Sequence, residues 1–362
     1  MKKFVFILLL IAIGRTTSNA QGCVAIRNTG AVCTKPHADN QKGWRMNTSY
    51  RYFKSFRHFV GTEQQKERLE EQTEVINWQH ALDISVIRDF NSRWSLGVSL
   101  PLISNKRSSL YEHYGNNSAS PNARQNTRSF GIGDLRIGVY YWILDPAKTM
   151  KWNVQASVGL KLPTGSYDYQ DFFKKNDSTK ILGPVDQSIQ LGDGGTGITT
   201  EVNAFYNFSG HFSCYANFYY LVNPREQNGT STARGATPSA SAVRYSSSTM
   251  SVPDQYMIRA GMNYSFRHLM ISAGIRKEGI PSSDLVGGDG GFRRPGYVVS
   301  VEPGINYGFK KFALFATVPV AISRNRTQSY ADKLQTEASG VYRHGDAAFA
   351  DYSINVGMSI KL

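Results

Sequence analysis

Hydrophobic and polar residues alternate with a period of two along most of the chain. Every second residue from Trp152 to Leu162 is apolar, and the residues between them are polar or glycine. Successive side chains of a β-strand point to opposite faces, so this period indicates strands with one apolar and one polar face. The same alternation recurs at 135–141, 198–208, 256–266 and 297–307.

The pattern predicts about twelve strands, most of them close to ten residues long. They are 44–54, 76–88, 93–102, 131–142, 152–162, 198–208, 212–222, 253–266, 269–279, 297–309, 312–323 and 350–362. A tilted strand of about ten residues is long enough to cross the apolar core of a bilayer. We therefore expect an all-β fold, a transmembrane antiparallel β-barrel of about 12 strands.

The predicted connections fall into two length classes that alternate along the chain. The short ones are 89–92, 143–151, 209–211, 267–268 and 310–311, and the long ones are 55–75, 103–130, 163–197, 223–252, 280–296 and 324–349. Short periplasmic turns and long extracellular loops are typical of outer-membrane barrels. An even number of strands places both termini in the periplasm. Opposite charges four positions apart in the first long loop predict a short exposed helix there.

A soluble β-sandwich or propeller also contains alternating strands. Its loops, however, do not sort by length. Aromatic residues such as Trp44, Trp94 and Trp152 lie near predicted strand ends, where two interfacial girdles of a membrane barrel place them. The chain also ends in an alternating apolar strand that finishes at Leu362. These features favour the membrane barrel.

Composition excludes two other classes of protein. The mean hydropathy is −0.36, and the longest apolar run, Phe4–Ile13, is too short to cross a membrane as a helix. This excludes a polytopic helical membrane protein. The aromatic content of 12% excludes a disordered chain. Lysine and arginine number 41 against 27 acidic residues, which gives a net charge of +14.

The N-terminus predicts export. Residues 1–20 combine a basic start, an apolar run and a small-residue cleavage site, which together indicate a cleaved signal peptide. We expect residues 21–43 to be a periplasmic N-terminal segment or a plug, and residues 44–362 to form the barrel. Cys23 and Cys33 lie in the first of these segments and are candidates for a disulfide or for two free thiols.

Three stretches resemble one family. They are Gly131-Ile132-Gly133-Asp134-Leu135-Arg136-Ile137-Gly138, Gly159-Leu160-Lys161-Leu162-Pro163-Thr164-Gly165, and Gln187-Ser188-Ile189-Gln190-Leu191-Gly192-Asp193-Gly194-Gly195-Thr196-Gly197. Their order resembles the outer-membrane barrels of the phenol-degradation meta-pathway (MetA-like) family, in a Bacteroidetes-type version. The resemblance implies an outer-membrane transporter for small solutes, including hydrophobic or aromatic ones.

Motifs for a cofactor, a metal or catalysis are weak. Residues 192–197 fit the glycine pattern of dinucleotide-binding loops, but a strand rather than a helix follows them, so we expect these glycines to shape a barrel rim. The histidines lack metal-ligand spacing. His113 next to Glu112, and the lipid-facing His80, are the best candidates for an outer-membrane enzyme. We expect no cofactor, no metal and no enzymatic activity.

Charged residues on the predicted lumen face are the candidates for solute selectivity. They are Arg45, Arg51, Asp134, Arg136, Lys161, Glu201, Arg259, Arg276 and Glu302, together with Asp351. Such residues either pair across strands as structure or form a weakly basic constriction that favours anions. Further arginines in or near the long loops either face the anionic outer leaflet or are solvated. They are Arg57, Arg107, Arg124, Arg234, Arg293, Arg294, Arg324 and Arg326.

The sequence therefore predicts a passive outer-membrane channel or transporter for small solutes. The alternative is a non-conducting barrel with a structural or surface-interaction role. A barrel of about twelve strands is intermediate between filled and open ones, so a loop or the N-terminal segment is able to close it. The expected partners are outer-membrane lipid and lipopolysaccharide, a small-molecule solute and the barrel-assembly machinery, but no nucleic acid. The oligomeric state stays open.

Overall fold

The computed structural model describes residues 42–362. The predicted signal peptide, nearly all of the segment 21–43, and the pair Cys23 and Cys33 lie outside the described residues. Cys214 is a free, half-buried thiol within a barrel strand.

Twelve strands form one closed antiparallel barrel. They are β1 (Gly43–Val60), β2 (Ile76–Asp89), β3 (Trp94–Ser109), β4 (Gln125–Ile132 and Leu135–Trp142), β5 (Trp152–Leu162), β6 (Gly197–Asn207), β7 (Phe212–Val222), β8 (Gln255–Phe266), β9 (Leu269–Ile280), β10 (Gly296–Gly308), β11 (Phe312–Thr317 and Val320–Arg326) and β12 (Ala347–Lys361). Each strand pairs with its neighbours in sequence, and β12 pairs with β1 from Arg45↔Lys361 to Phe59↔Ala347. The predicted fold is confirmed.

The predicted strand ends are wrong on the extracellular side of β1, β3 and β4. β1 continues to Val60 instead of ending at residue 54, β3 continues to Ser109 instead of 102, and β4 begins at Gln125 instead of 131. These extensions carry polar residues on both faces, so hydrophobic alternation does not reveal them. Their backbone ladders nevertheless continue, and the barrel wall extends beyond the apolar band.

The connections sort by length as predicted. The long loops are L1 (61–75), L2 (110–124), L3 (163–196), L4 (223–254), L5 (281–295) and L6 (327–346), and the turns are 90–93, 143–151, 208–211, 267–268 and 309–311. The loops contain three helices: α1 (Glu67–Glu70), α2 (Ala240–Arg244) and α3 (Tyr330–Ser339). Helix α1 confirms the short helix predicted in the first loop. Short strand pairs Gln170–Lys174 with Lys180–Pro184, Gln227–Ser231 with Thr249–Ser251, and Glu63–Gln64 with the end of β1 complete the loops.

Helix α3 shows why its segment of L6 is helical. The Ser329 side chain accepts a hydrogen bond from the Asp332 backbone, and the Asp332 side chain accepts one from Ser329, which is a complete capping box. At the other end Gly340 takes the left-handed conformation with φ +67°, which ends the helix. No helix between residues 42 and 362 has both the length and the hydropathy to cross a membrane.

The outer wall of the barrel is apolar and the inner wall is polar. Val158 on β5 is 61% exposed, and Ile258 on β8 and Ile305 on β10 are each 48% exposed. The interior holds buried serine, asparagine, arginine and glutamate side chains instead. Exposed aromatic residues mark the turn end of the barrel: Trp44, Trp94, Trp152, Phe212, Phe266 and Phe309. This distribution is that of a barrel whose outer wall contacts lipid.

Candidate functional site: a loop inside the barrel mouth

Loop L3 folds back into the barrel. Its last part begins with a short 3-10 helix at Gln187–Ile189. The Ile189 carbonyl accepts hydrogen bonds from Asn105 Nδ2 on β3 (3.0 Å) and from Ser129 Oγ on β4. The Leu191 side chain packs against Ala81 and Ile103, and only 4% of its surface is exposed. L3 leaves the barrel between β5 and β6 and thus reaches β2 and β3.

The same segment is also attached to the opposite side of the mouth. Both carboxylate oxygens of Asp186 accept hydrogen bonds from the Arg294 guanidinium, at 2.8 and 2.7 Å. Gln187 Nε2 donates to the Ser251 carbonyl in L4 at 2.9 Å. Residues 186–193 are therefore held from both sides and lie across the bore. We call this segment the L3 crosspiece.

The three family-like stretches meet at Asp134. Its Oδ1 accepts a hydrogen bond from the Gly165 N–H (3.0 Å), and its Oδ2 accepts one from the Asp193 N–H (3.3 Å). A Cβ on Gly192 would lie 2.5 Å from Asp134 Oδ1, and one on Gly165 would lie 2.8 Å from the Leu191 carbonyl. These glycines bring the backbone of the crosspiece against the barrel wall, which is more specific than the rim role predicted from sequence.

Lys161 completes this junction. Its ammonium group binds the Asp193 carboxylate and lies 3.8 Å from Asp134 Oδ2, and the residue is 1% exposed. Thr164 fills the gap in β4 at residues 133–134, because its hydroxyl donates to the Gly133 carbonyl and accepts from the Leu135 N–H, both at 2.9 Å. The start of L3 is therefore bound to the barrel wall at the break in β4.

Two other predicted lumen residues lie below the crosspiece. The Arg136 guanidinium stands over the ring of Tyr219, 5.6 Å from its centroid. Glu201 accepts hydrogen bonds from Asn203 Nδ2 and Asn217 Nδ2, at 3.2 and 2.9 Å. Arg136 and Glu201 line the same small lower cavity of about 40 Å³.

The remaining predicted lumen residues form separate groups. Glu302 binds Arg259 (2.8 Å) and Arg276 (3.6 Å), and Arg276 also binds Glu278 (2.7 Å).

Arg45 and Arg51 lie elsewhere on β1. Arg45 pairs with Asp89 at 2.6 Å at the turn end of the barrel, whereas Arg51 Nη2 donates to Gln79 Oε1 at 3.5 Å. The predicted residues therefore form several groups along the bore and not a single ring.

Asp351 is bound by two arginines at the loop end of the barrel. Arg57 approaches its Oδ1 at 2.8 Å, and Arg324 Nη2 approaches the same oxygen at 2.7 Å. Both arginines were expected to face the leaflet or the solvent.

Most loop arginines point into the mouth, contrary to expectation. Glu112 binds Arg107 and Arg234, each at 3.0 Å. Burial opposes ionisation of Glu112, but the charges of Arg107 and Arg234 outweigh it and lower the pKa of Glu112 to about 2. Asp186 Oδ2 lies 3.4 Å from Arg107 Nη2 and 2.7 Å from Arg294 Nη2. Buried loop carboxylates, most of them distant in sequence from the arginines that they bind, therefore hold these arginines inside the mouth.

A cavity of about 450 Å³ lies in the mouth. Two acids, Asp332 and Asp346, line it beside His58 and six arginines. These arginines are Arg68, Arg107, Arg234, Arg293, Arg294 and Arg326. The carboxylates of Glu112, Asp186 and Asp284, which pair with several of them, do not line the cavity.

The enzyme candidates do not form a catalytic arrangement. The Glu112 carboxylate is engaged by arginines, whereas His113 Nδ1 accepts from the Lys174 backbone N–H at 3.1 Å. Burial lowers the pKa of His113 to about 4. His80 does face outward, where its Nδ1 lies 2.6 Å from the Tyr50 hydroxyl. Among residues 42–362, no cluster of three or more His, Cys, Asp or Glu residues is suited to a metal ion.

One family model matches this chain. Its description is "Putative MetA-pathway of phenol degradation", and it matches residues 87–179. The predicted family resemblance is confirmed over this segment. The match includes the stretches at 131–138 and 159–165, and it ends before the crosspiece. No curated protein sequence matches the chain significantly.

Several solved structures are similar to this chain. The COG4313 outer membrane channel from Pseudomonas putida F1 superposes with a TM-score of 0.57 at 11% identity, over 89% of this chain and 96% of that chain. The translocator domain of autotransporter NalP from Neisseria meningitidis has a TM-score of 0.44 at 12% identity, over 90% of each chain. The Ralstonia pickettii toluene transporter TbuX has a TM-score of 0.41 at 10% identity, over 89% of this chain and 90% of that chain. The first of these likenesses establishes the fold of an outer-membrane barrel, and with the apolar exterior it places the protein in an outer membrane.

Sequence reasoning missed the acids that organise the site. Asp186, Asp193 and Glu112 were not among the predicted lumen residues, because all three belong to predicted loops. Asp193 did carry a signal, since it stands between Gly192 and Gly194 within the third family-like stretch.

Proposed function

We propose that the protein is a passive channel for small solutes in which the L3 crosspiece is the barrier. The arrangement of the bore carries this proposal: a polar lumen with a 450 Å³ cavity in the mouth, crossed by a loop that side chains hold in place. A cavity of about 100 Å³ lies against the crosspiece, between Arg51, Lys161 and Gln190. Narrowing the route at a loop lets the channel discriminate among solutes without an energy source.

Conductance tests this proposal. The purified protein is inserted into a planar bilayer, and single-channel current is compared with that of Lys161→Met, which removes the bond to Asp193. We expect small, steady currents from the unmodified protein and larger or more variable currents from the variant. Arg88→Gln is the control, because Arg88 stands 5.1 Å from the centroid of the exposed Trp44 ring at the turn end, away from L3. Equal currents from all three proteins would contradict a barrier at L3.

We further propose that lumen charges set selectivity and that anions are favoured over cations. Six arginines against two acids line the mouth cavity, and Arg136 lines the two cavities below it. The other selectivity candidates are Arg45, Arg51, Asp134, Lys161, Glu201, Arg259, Arg276 and Glu302. Reversal potentials in a potassium chloride gradient measure the preference. Arg136→Gln is expected to reduce the anion preference. An unchanged reversal potential would remove Arg136 from the selective set.

The solute class follows from the family resemblance and is part of the same proposal. Hydrophobic or aromatic small molecules are the first candidates. Liposome uptake of an uncharged aromatic compound, an aromatic carboxylate and a polar sugar of similar size separates apolar preference from anion preference. We propose no enzymatic activity for this chain.

The competing proposal is a non-conducting barrel that presents its loops to a partner. The buried crosspiece favours it, because a fully sealed bore conducts nothing. If the protein shows neither conductance nor solute uptake and its loops resist protease, this result would support the non-conducting role. Under either proposal we expect contact with outer-membrane lipid, including lipopolysaccharide, and insertion by the barrel-assembly machinery.

A further inference from the structure

Three cations and one tryptophan form a row across the outer wall of four neighbouring strands. The register pairs Lys54 on β1 with Trp78 on β2, Trp78 with Lys106 on β3, and Lys106 with Arg128 on β4. Neighbouring strands lie about 4.8 Å apart, so the row spans about 14 Å of the wall. We call these four residues the cation row.

The cation row lies at the extracellular edge of the lipid-facing band. Four positions further toward the turns, the same register aligns Tyr50, Leu82, Leu102 and Ile132, all of which are at least 36% exposed. The even spacing keeps both rows on the same face of the sheet. Four residues correspond to about 13 Å along a strand, and less along the membrane normal because strands tilt. The cations therefore stand at the level where lipid headgroups meet the apolar wall.

The row is preorganised around the indole ring of Trp78. Lys106 Nζ lies 4.8 Å from the centroid of that ring, and Lys54 Nζ lies 5.8 Å from it and 4.7 Å from the Phe56 ring. Each contact is a cation–π interaction, which orders a long side chain without neutralising its charge. The two ammonium groups therefore share one aromatic support.

No acidic side chain of the described chain pairs with these cations. Within residues 42–362, no carboxylate oxygen lies within 4 Å of the side-chain nitrogens of Lys54, Lys106 or Arg128. Asp171 contacts Arg128 through the backbone, since its carboxylate accepts from the Arg128 N–H at 2.8 Å. The outward positions directly above and below the row are also free of acids: Phe56, Ile76, Ser108 and Asn126 above, and Tyr52, His80, Ser104 and Phe130 below.

We propose that the cation row is a binding site for the phosphate groups of an outer-leaflet glycolipid of the lipid A type. Three positive charges without acidic partners in the described part of the chain complement such phosphates, and the apolar rows below accommodate the acyl chains of the same lipid. Arg128 adds a planar fork that matches phosphate oxygens. The proposal rests on the membrane location of the barrel and not on conduction through it. In this proposal the lipid-facing charges are those of the cation row and not the loop arginines, since most loop arginines lie inside the mouth.

Binding of defined lipids tests the proposal. The full-length protein in an uncharged detergent is titrated with diphosphoryl lipid A and, separately, with the same lipid lacking both phosphates, and bound lipid is counted by native mass spectrometry. We expect the diphosphoryl form to bind at least tenfold more tightly than the dephosphorylated form. Inorganic phosphate at millimolar concentration is expected to compete weakly, because it lacks the acyl chains. Equal binding of both lipids would overturn the proposal and indicate acyl-chain contact alone.

Two variants localise the site. A triple variant is expected to lose the preference for the phosphorylated lipid; it combines Lys54→Gln, Lys106→Gln and Arg128→Gln. The single variant Lys106→Gln is expected to reduce this preference several-fold. Lys277→Gln is the matched control, because Lys277 is a single lysine on the wall at β9, 4.5 Å from the Tyr297 ring. Unboiled gel mobility shows that each variant is folded. A triple variant that keeps the preference, or a control that loses it equally, would contradict this site. Conductance is measured on the same variants and is expected to be unchanged, so the channel proposal stands or fails separately.

Discussion

Asp134 performs the central structural task at the residue scale. Its two oxygens accept backbone N–H groups from two distant parts of L3, and the ammonium group of Lys161 lies near it. A carboxylate is tolerated in the protein interior only when hydrogen bonds or an opposite charge compensate for its lost hydration. Removing one partner leaves the others buried without a hydrogen bond, which destabilises the fold. The junction therefore has little tolerance for substitution.

Replacing Asp134 by asparagine should loosen the crosspiece. An amide NH₂ would face one of the two N–H donors, so at least one hydrogen bond is lost, at a cost of about 1–3 kcal/mol. We expect L3 to be cleaved faster by protease in Asp134→Asn while the barrel stays folded. Asp83→Asn is the control, because Asp83 lines the lower cavity beneath L3. Identical cleavage of the two variants would show that Asp134 does not hold the loop.

Replacing Gly192 by alanine should displace the crosspiece sterically. The added Cβ would meet Asp134 Oδ1 at 2.5 Å and the Gly165 carbonyl at 2.6 Å. Overpacking of this kind costs about 1–3 kcal/mol, and we expect faster cleavage of L3 and altered single-channel current. The matched control is Gly210→Ala in a turn, where nothing lies within 4 Å of the added atom. If both variants behave like the unmodified protein, the close approach at Gly192 is unimportant.

At the scale of elements, loops L1 and L6 are joined by one carboxylate. Asp346 in L6 binds His58 Nδ1 at 2.7 Å and Arg68 of α1 at 2.8 Å, while His58 Nε2 accepts from the Val75 N–H at 2.8 Å. Burial opposes ionisation of Asp346. The hydrogen bond from His58 Nδ1 and the charge of Arg68 outweigh burial and lower the pKa of Asp346 to about 2.

This link predicts acid sensitivity of the mouth. The pKa of Asp346 in the folded protein lies below its ordinary value of 3.8, so the ionised Asp346 carboxylate stabilises the folded loops at neutral pH. This stabilisation is lost as the pH falls from about 4 toward 2. Hydrogen exchange of the Glu71 amide, which bonds the Glu67 carbonyl in α1 next to Arg68, measures the loss after correction for the intrinsic effect of pH. In Asp346→Asn the exchange should already be fast at pH 7. Protection that persists unchanged at pH 2 would refute this role.

At the scale of the whole molecule, pairing of β1 with β12 closes the described barrel, and an edge stays open only toward the loops, as at Gln125–Ile132, which pairs with β3 alone. Thirteen residue pairs join these strands across the closing seam, with register shifts near Ser55. Every backbone group of a membrane-spanning strand needs a partner within the protein, because lipid offers none. The closed ladder therefore makes unfolding highly cooperative.

A closed barrel should remain folded in detergent until it is boiled. We expect the unboiled protein to migrate faster in a denaturing gel than the boiled protein, because the intact barrel is more compact. An independent check is far-ultraviolet circular dichroism, which should show strand signal until heating. One mobility before and after boiling would contradict the closed barrel.

Much of the fold follows from local sequence. The period of two marks the membrane-facing part of each strand, and the glycine- and polar-rich stretches mark the loops. Prediction fails where the pattern ends, as at β1 beyond residue 54 and β3 beyond residue 102, because strands with polar residues on both faces lack the alternation. Because side chains alternate between the two faces of a strand, the sequence predicts that Arg259, Arg276 and Glu302 point inward. All three side chains are buried in the structure.

The sequence by itself determined the number of strands, their direction and the inward or outward side of most side chains, because each depends on a repeat of two residues and on loop length. Only the tertiary structure decided that L3 lies in the bore, that loop arginines turn inward to buried carboxylates, and that Lys54, Trp78, Lys106 and Arg128 share one level. These features depend on register between strands and on contacts between distant loops. No local pattern of hydrophobic and polar residues encodes either of them.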